Sequence, residues 1–270
     1  MMQMHFSRKQ LCIPYALFLI LFVIIPMFLI LFYAFTETAD GAIRFSFANF
    51  IDFFTSAAKL STLLMSFTVA IISTAVCLLI AYPLAYILAR SKFKKKNVLL
   101  MLFILPMWIN FVLRITALRE LLDLIGLLGT ENYLNTIIGM VYDFLPFMIL
   151  PVYTTIIKID KSYLEAARDL GATGAKTFLK VTLPLSKAGI MSGISMVFLP
   201  SMTNYVVSNW LTYNNTAIIG SFIEQAFRNT LWNQGSVTAL ILLLLMFLMT
   251  WLTGGFKEDT QAEARGTSLW

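Results

Sequence analysis

Charge is what this chain has least of. Only 13% of its 270 residues are Asp, Glu, Lys or Arg, where a soluble domain carries about 25%. A soluble enzyme surface is therefore excluded, and with 59% hydrophobic residues the expected solvent is a lipid bilayer. Cysteine is scarce too: Cys12 and Cys77 fall in different apolar runs and imply neither a disulfide framework nor a metal site. The single histidine is His5, near the N-terminus. No metal-ligand cluster, Gly-rich phosphate loop or nucleophile elbow occurs. The apolar runs also lack the paired acids, His cluster or Ser/Lys dyad that an intramembrane enzyme needs. The chain is expected to be non-catalytic, to bind no metal or cofactor of its own, and to form one all-α integral membrane domain over residues 1–270 without sequence repeats.

What is abundant is long apolar sequence. Six runs are expected to span: Leu11–Phe35, Leu60–Ala89, Val98–Leu113, Leu134–Ile157, Ala188–Ser208 and Ser236–Thr253. The first is too long for a secretory signal and lacks a small-residue cleavage site, so it is expected to remain as a helix. With the N-terminus inside, fifteen of the twenty Lys and Arg residues fall in inner segments. They include Arg8, Lys9, the Arg90–Lys96 cluster and Lys158, Lys161, Arg168, Lys176, Lys180 and Lys187. The outer segments keep Arg44, Lys59, Arg114, Arg119 and Arg228. This asymmetry places both termini in the cytoplasm. The net charge of +6 then reports topology and contact with anionic lipid rather than nucleic-acid binding.

Polar and aromatic residues inside these runs mark candidate path residues. Helix three is expected to bend at Pro106, with Trp108 and Asn110 just beyond on different faces. Trp108 fits either bundle packing or a pore wall, and Asn110 should face protein or water. Asp143 in helix four lies about 15 Å from the outer start of that helix, near the midplane. It is either a functional carboxylate or the ion-pair partner of Arg114. Helix five carries Gly189 and Gly193, a pattern for close backbone approach, and is expected to continue through Pro200, Asn204, Tyr205 and Asn209. Residues 36–59, rich in Phe, should lie at the interface as an anchor. A short amphipathic helix is expected around Ile218–Phe227.

One polar island breaks the apolar pattern: Leu164–Pro184, within an inner loop over residues 158–187. Ser162 is positioned to cap a helix starting at Tyr163, with Glu165 and Asp169 near its positive end. Leu164, Ala167 and Leu170 form a narrow apolar stripe, and Ala166 and Ala167 keep a low profile. Gly171 suits a helix C-terminus with positive φ. Pro184 is expected to end the second segment. Taken alone, such a loop could also lie on the lipid surface.

Glu165-Ala166-Ala167, Gly171 and Val181-x-Leu183-Pro184 resemble the EAA loop of the inner-membrane permeases of binding-protein-dependent ABC importers. Leu105-Pro106-x-Trp108-x-Asn110, Leu145-Pro146-Phe147-Met148 and Leu199-Pro200-x-Met202 extend the resemblance to the B-type permease subunits of spermidine/putrescine importers. Asn209 stands where relatives can carry an acid. The resemblance implies a type I ABC importer permease fold and a multi-pass protein of the bacterial inner membrane. Its implied partners are a homologous second permease, two copies of an ATPase that holds ATP and Mg, and an external polyamine-binding protein. Glu165, Ala166, Ala167, Asp169, Gly171, Leu183 and Pro184 would couple to the ATPase. Trp108, Asn110, Asp143, Phe147, Asn204 and Tyr205 would border the cargo path. Other expectations consistent with the residues are a permease for an amino acid, phosphate or iron, and a standalone secondary transporter that would leave the EAA pattern idle.

Overall fold

The structure is a computed structural model that describes residues 8–39, 42–91, 95–129 and 132–252. Most of the basic lead, Lys92 and Lys94 of the basic cluster, Gly254-Gly255 and the tail Lys257–Trp270 lie outside the described residues. Four helices are long and apolar enough to cross a membrane, or up to six if each of two bent pairs counts as one span. The described residues group into two compact units, one within Met1–Leu60 and Phe222–Leu244, the other within Ser61–Ser221 and Leu245–Trp270.

The first unit begins with α1 (Arg8–Leu19), a π-helical turn at Ile20–Ile24 and α2 (Ile25–Ala34). Pro26 explains the widened turn. A proline ring meets the carbonyl four residues back, here that of Phe22, and a π turn moves this carbonyl aside. Most long apolar side chains from Ile13 to Phe32 stay exposed, as side chains matched to hydrocarbon do.

Residues 36–59 are more ordered than a simple interfacial anchor. Strands β1 (Thr36–Ala39) and β2 (Ala42–Phe45) pair antiparallel with Thr36 opposite Phe45, and α3 (Ala48–Thr55) follows. Phe35 organises the turn, stacking on Phe45 at 5.8 Å and touching Phe50 at 5.1 Å. The backbone oxygen of Thr36 accepts from Asn49 and Asn233 side chains. An apolar reading missed the hairpin because backbone pairing and these amide contacts carry no hydrophobic periodicity.

The second unit holds most of α4 (Ala57–Arg90), then α5 (Lys96–Ile104), a 3-10 turn at Leu105–Trp108 and α6 (Phe111–Leu124). The expected bent helix three is instead broken, and the two arms meet at 99°. Pro106 removes an N–H, Ile109 turns extended, and Asn110 restarts the chain by accepting the Val112 N–H at 2.9 Å. Helix α7 (Asn132–Lys158) runs unbroken through Pro146 and Pro151. Next come α8 (Lys161–Asp169), α9 (Gly174–Thr177), a π turn at Phe178–Thr182, α10 (Leu183–Leu185) and α11 (Lys187–Thr203).

Helix five also departs from expectation. It stops at Thr203, and Asn204 caps a new helix, α12 (Tyr205–Leu211), by accepting the Val207 N–H at 3.4 Å. Helix α13 (Ile219–Arg228) matches the expected amphipathic helix, and α14 (Trp232–Leu252) closes the described chain.

The core of this unit is the contact of α7 with α11, α12 and α4. Met140, Met148, Ile149, Val152 and Ile156 from α7 are fully buried there with Val197 and Val207. Glycines set the spacing. A Cβ on Gly189 would stand 2.6 Å from the Pro151 carbonyl oxygen, and one on Gly139 would run into the Leu211 side chain. The close approach expected of Gly189 and Gly193 is thus present, with α7 as the partner helix.

Candidate coupling loop and membrane path

The polar island folds as two helical segments around a glycine turn. Helix α8 starts earlier than expected, at Lys161, and its cap is Asp160 rather than Ser162. The Asp160 carboxylate accepts the Ser162 N–H at 3.0 Å. Asp is the stronger cap because its charge also meets the positive helix end, and these bonds hold its pKa below the usual carboxylate range. Glu165, Ala166 and Asp169 are exposed, and Ala167 is half-buried.

Gly171 ends α8 at φ +77°. Its N–H reaches Arg168 O at 2.8 Å while the Ala172 N–H reaches Ala167 O at 3.0 Å. This paired closure is a Schellman turn, and only glycine enters it without strain. Thr173 then caps α9 by accepting the Lys176 N–H. Leu170 projects from the turn at 89% exposure. That value is decisive for the loop: a leucine with so little cover, ringed by charged neighbours, is available to a partner surface.

The second segment ends one residue past Pro184, close to the expected end. The π turn at Phe178–Thr182 displaces the Lys180 carbonyl that the proline ring would strike. The helix continues to Leu185 and bends by 64° at Ser186 into α11. Leu183 is half-buried and Pro184 is exposed. A cleft of 430 Å³ beside the loop, of mixed polar and apolar lining, is bordered by Thr155, Lys158, Ile159, Asp160, Tyr163 and Leu185.

The path candidates separate into three groups. Asp143 and Arg114 form a buried ion pair, with Nη2 2.5 Å from Oδ1 and exposures of 3% and 7%. Of the two readings open for Asp143, the ion pair is the one its side chain adopts. The break before α6 made this possible: restarting the helix at Asn110 aims Arg114 at α7. Asn110 and Asn204 both serve as helix caps, a role that their sequence positions inside apolar runs had concealed. Trp108 is 88% exposed and lines an apolar cleft of 500 Å³ with Met101, Ile104 and Leu105. Phe147 packs against Phe144, and Tyr205 is half-buried beside the core.

Sequence reasoning missed several working contacts. Ser66 accepts the Ile219 N–H at 2.7 Å, and Tyr82 shares a 2.8 Å hydrogen bond with Ser186. Lone hydroxyls in apolar runs carry no spacing signal. The caps Asp160 and Thr173 were missed as well, although a signal existed: each is a capping residue directly before a helical stretch.

Comparison with known proteins agrees with this geometry. The chain is 36% identical over 256 residues to the spermidine/putrescine transport system permease protein PotB of Escherichia coli (strain K12), covering 86% of this chain and 90% of that one. It is 37% identical over 252 residues to the PotB protein of Haemophilus influenzae, covering 86% and 87%. To the PotB homolog of Mycoplasma genitalium it is 32% identical over 252 residues, covering 88% and 85%. Two solved structures share the fold at 15% identity. A bacterial ABC transporter that imports the acidic polysaccharide alginate superposes with a TM-score of 0.70. A bacterial alginate ABC transporter in complex with an alginate pentasaccharide-bound periplasmic protein superposes with 0.74. Each comparison covers 93% of this chain and 94% of the other. The exposed glycine-turned loop and helices α7 and α14 lie within residues 81–258, which match the family that the chain belongs to: the binding-protein-dependent transport system inner membrane components.

Proposed function

We propose that this chain is a permease subunit of a polyamine importer driven by ATP. The observation that carries the cargo is its identity of 36% or more, over most of its length, to spermidine/putrescine permeases. The EAA loop supports the ATP-driven part. Its exposed Glu165, Ala166, Asp169 and Leu170, turned by Gly171, offer a low, mixed polar and apolar knob suited to a groove on a separate ATPase. In this reading ATP and Mg sit on two ATPase copies, the chain itself does no chemistry, and a homologous second permease completes the path. An external binding protein delivers the cargo. Both termini and the loop face the cytoplasm, the membrane is the bacterial inner membrane, and the chain acts as one permease domain.

ATP binding draws the ATPases together and carries the docked loops with them, which rocks the helices between inward and outward access. Trp108, Phe147 and Tyr205 offer aromatic faces to passing ammonium groups, each contact contributing roughly 0.5–2 kcal/mol. Asp143 serves as the counter-ion of Arg114, so it adds no free negative charge to the path. Asn110 and Asn204 cap helix starts beside it.

The test is reconstitution of the permease pair, ATPase and binding protein in liposomes. Spermidine or putrescine should enter and stimulate ATP hydrolysis, with amino acids failing to compete. Stimulation by an amino acid or phosphate instead would reassign the cargo. Uptake by this chain alone, driven by an ion gradient, would overturn the importer reading.

A further inference from the structure

The coupling loop leaves the apolar core from α7 and rejoins it at α11, so its movement would be expected to reach those two helices first. The side-chain contacts lead elsewhere. Both ends of the loop are tied to α4. At its start, Arg90 donates Nη1 to the Ile159 carbonyl at 3.4 Å. At its end, the Tyr82 hydroxyl meets Ser186 Oγ at 2.8 Å. Ser186 has one hydroxyl proton and lies 3.1 Å from Leu183 O. It therefore donates to Leu183 and accepts from Tyr82. Between these ties Phe178 stands edge-on to Tyr82 and Tyr86, at 5.6 and 5.3 Å.

Tyr82, Tyr86 and Arg90 recur every four residues, so they form one slanting ridge on α4. The second loop segment lies in contact with that ridge. Ser186 is also the point where the chain bends by 64° between Gly174–Leu185 and α11. It is fully buried and Tyr82 is 6% exposed, so water does not compete for their bond.

We propose that α4 is the element that carries coupling-loop movement into the membrane, with Tyr82, Phe178 and Ser186 as its positioning residues. This rests on the importer reading above. When the loop is displaced, either the bend at Ser186 opens or α4 moves with it. The buried hydrogen bond and the two ring contacts resist the first, so the second follows. Helix α4 is continuous over 34 residues. Ser66, sixteen residues from Tyr82 and roughly 24 Å along the helix, holds the Ile219 N–H at the start of α13. A shift of α4 therefore reaches the Ile219 end along a single helix, past Pro83, which removes one backbone hydrogen bond beside the ridge.

The test is the number of spermidine molecules transported per ATP hydrolysed by the complete reconstituted complex. Tyr82→Phe keeps the ring against Phe178 and loses only the hydroxyl; Ser186→Ala loses the acceptor. Each should lower the ratio about three- to tenfold, the double variant should be no worse than either, and Ser186→Thr should restore it. If a hydroxyl variant fails to assemble, Phe178→Leu reports the same coupling through the ring contact. An unchanged ratio overturns the proposal. So does a lower complex yield with a normal ratio in the complexes that survive, because that is the behaviour of a purely structural bond. A wild-type complex without spermidine-stimulated hydrolysis overturns the importer reading and this proposal together. A wild type that pumps beside variants that pump equally well overturns only the role of α4.

Discussion

Gly171 shows how much one residue carries. Its φ of +77° costs an L side chain roughly 1–2 kcal/mol, yet a Cβ there would meet nothing within 4 Å. Gly171→Ala should therefore weaken uptake without abolishing it. Gly171→Pro should abolish uptake while the protein still inserts, since proline cannot adopt this φ and removes the N–H given to Arg168. Uptake measured beside the amount of protein in the membrane separates the two, and normal transport by Gly171→Pro would refute a docking role. Asp160 carries a pH dependence. Its folded pKa is depressed below 3.8, so its stabilisation of α8 is complete above that ordinary value and is lost as pH falls through the lower folded one. The protection of the first-turn amides of α8, after correction for the intrinsic pH dependence of exchange, should be flat through neutral pH and fall only in acid.

Arg114 and Asp143 are the other decisive residues. Removing one partner leaves a buried charge unmatched, which costs about 3–5 kcal/mol. Asp143→Asn should reduce the yield of assembled complex, read by size-exclusion chromatography. Replacing both, Arg114→Met with Asp143→Leu, should recover much of it. An Asp143→Asn complex that assembles normally but loses spermidine affinity would return Asp143 to the cargo path.

Among the elements, proline and glycine do the shaping. Pro26 and Pro184 are each preceded by a π turn that contains the carbonyl their rings would strike, and both helices continue. Pro106 is followed by an outright break, because the chain also turns extended at Ile109. The contact of α7 and α11 depends on Gly189. Gly189→Val would drive a side chain into the Pro151 backbone, which cannot yield as a flexible side chain does. It should cost about 1–3 kcal/mol and lower the thermal midpoint in detergent. Gly174→Ala, where a Cβ meets open space, should leave that midpoint unchanged. Equal effects of the two would refute the close-packing account.

For the whole molecule, a chain that crosses six times has both ends on one side. Reporter fusions after Trp270 and within the loop near Lys176 should both report the cytoplasm. Opposite locations would mean that one of the two bent helix pairs re-enters rather than crosses. The exposed apolar faces of α1 and α2 fit lipid or a second permease equally in chemistry. Cysteine crosslinking in the assembled complex distinguishes them, with a second permease expected along at least one face.

Much of this was readable before any coordinates. Apolar length, the scarcity of charge, the glycine turn and the EAA spacing act through local chemistry and bilayer thickness, which neighbouring residues alone determine. Partners distant in the chain were not readable. Arg114 reaches Asp143 only because helix three breaks, Tyr82 finds Ser186 across 104 residues, and Asn233 braces a hairpin nearly 200 residues earlier. Sequence by itself determined a membrane-spanning helical chain with an exposed, glycine-turned polar loop, since hydrophobic burial and helix capping are short-range or bulk effects. Tertiary structure alone decided which polar groups meet, because inside an apolar interior each must find a partner, and only the packed helices determine which one lies within reach.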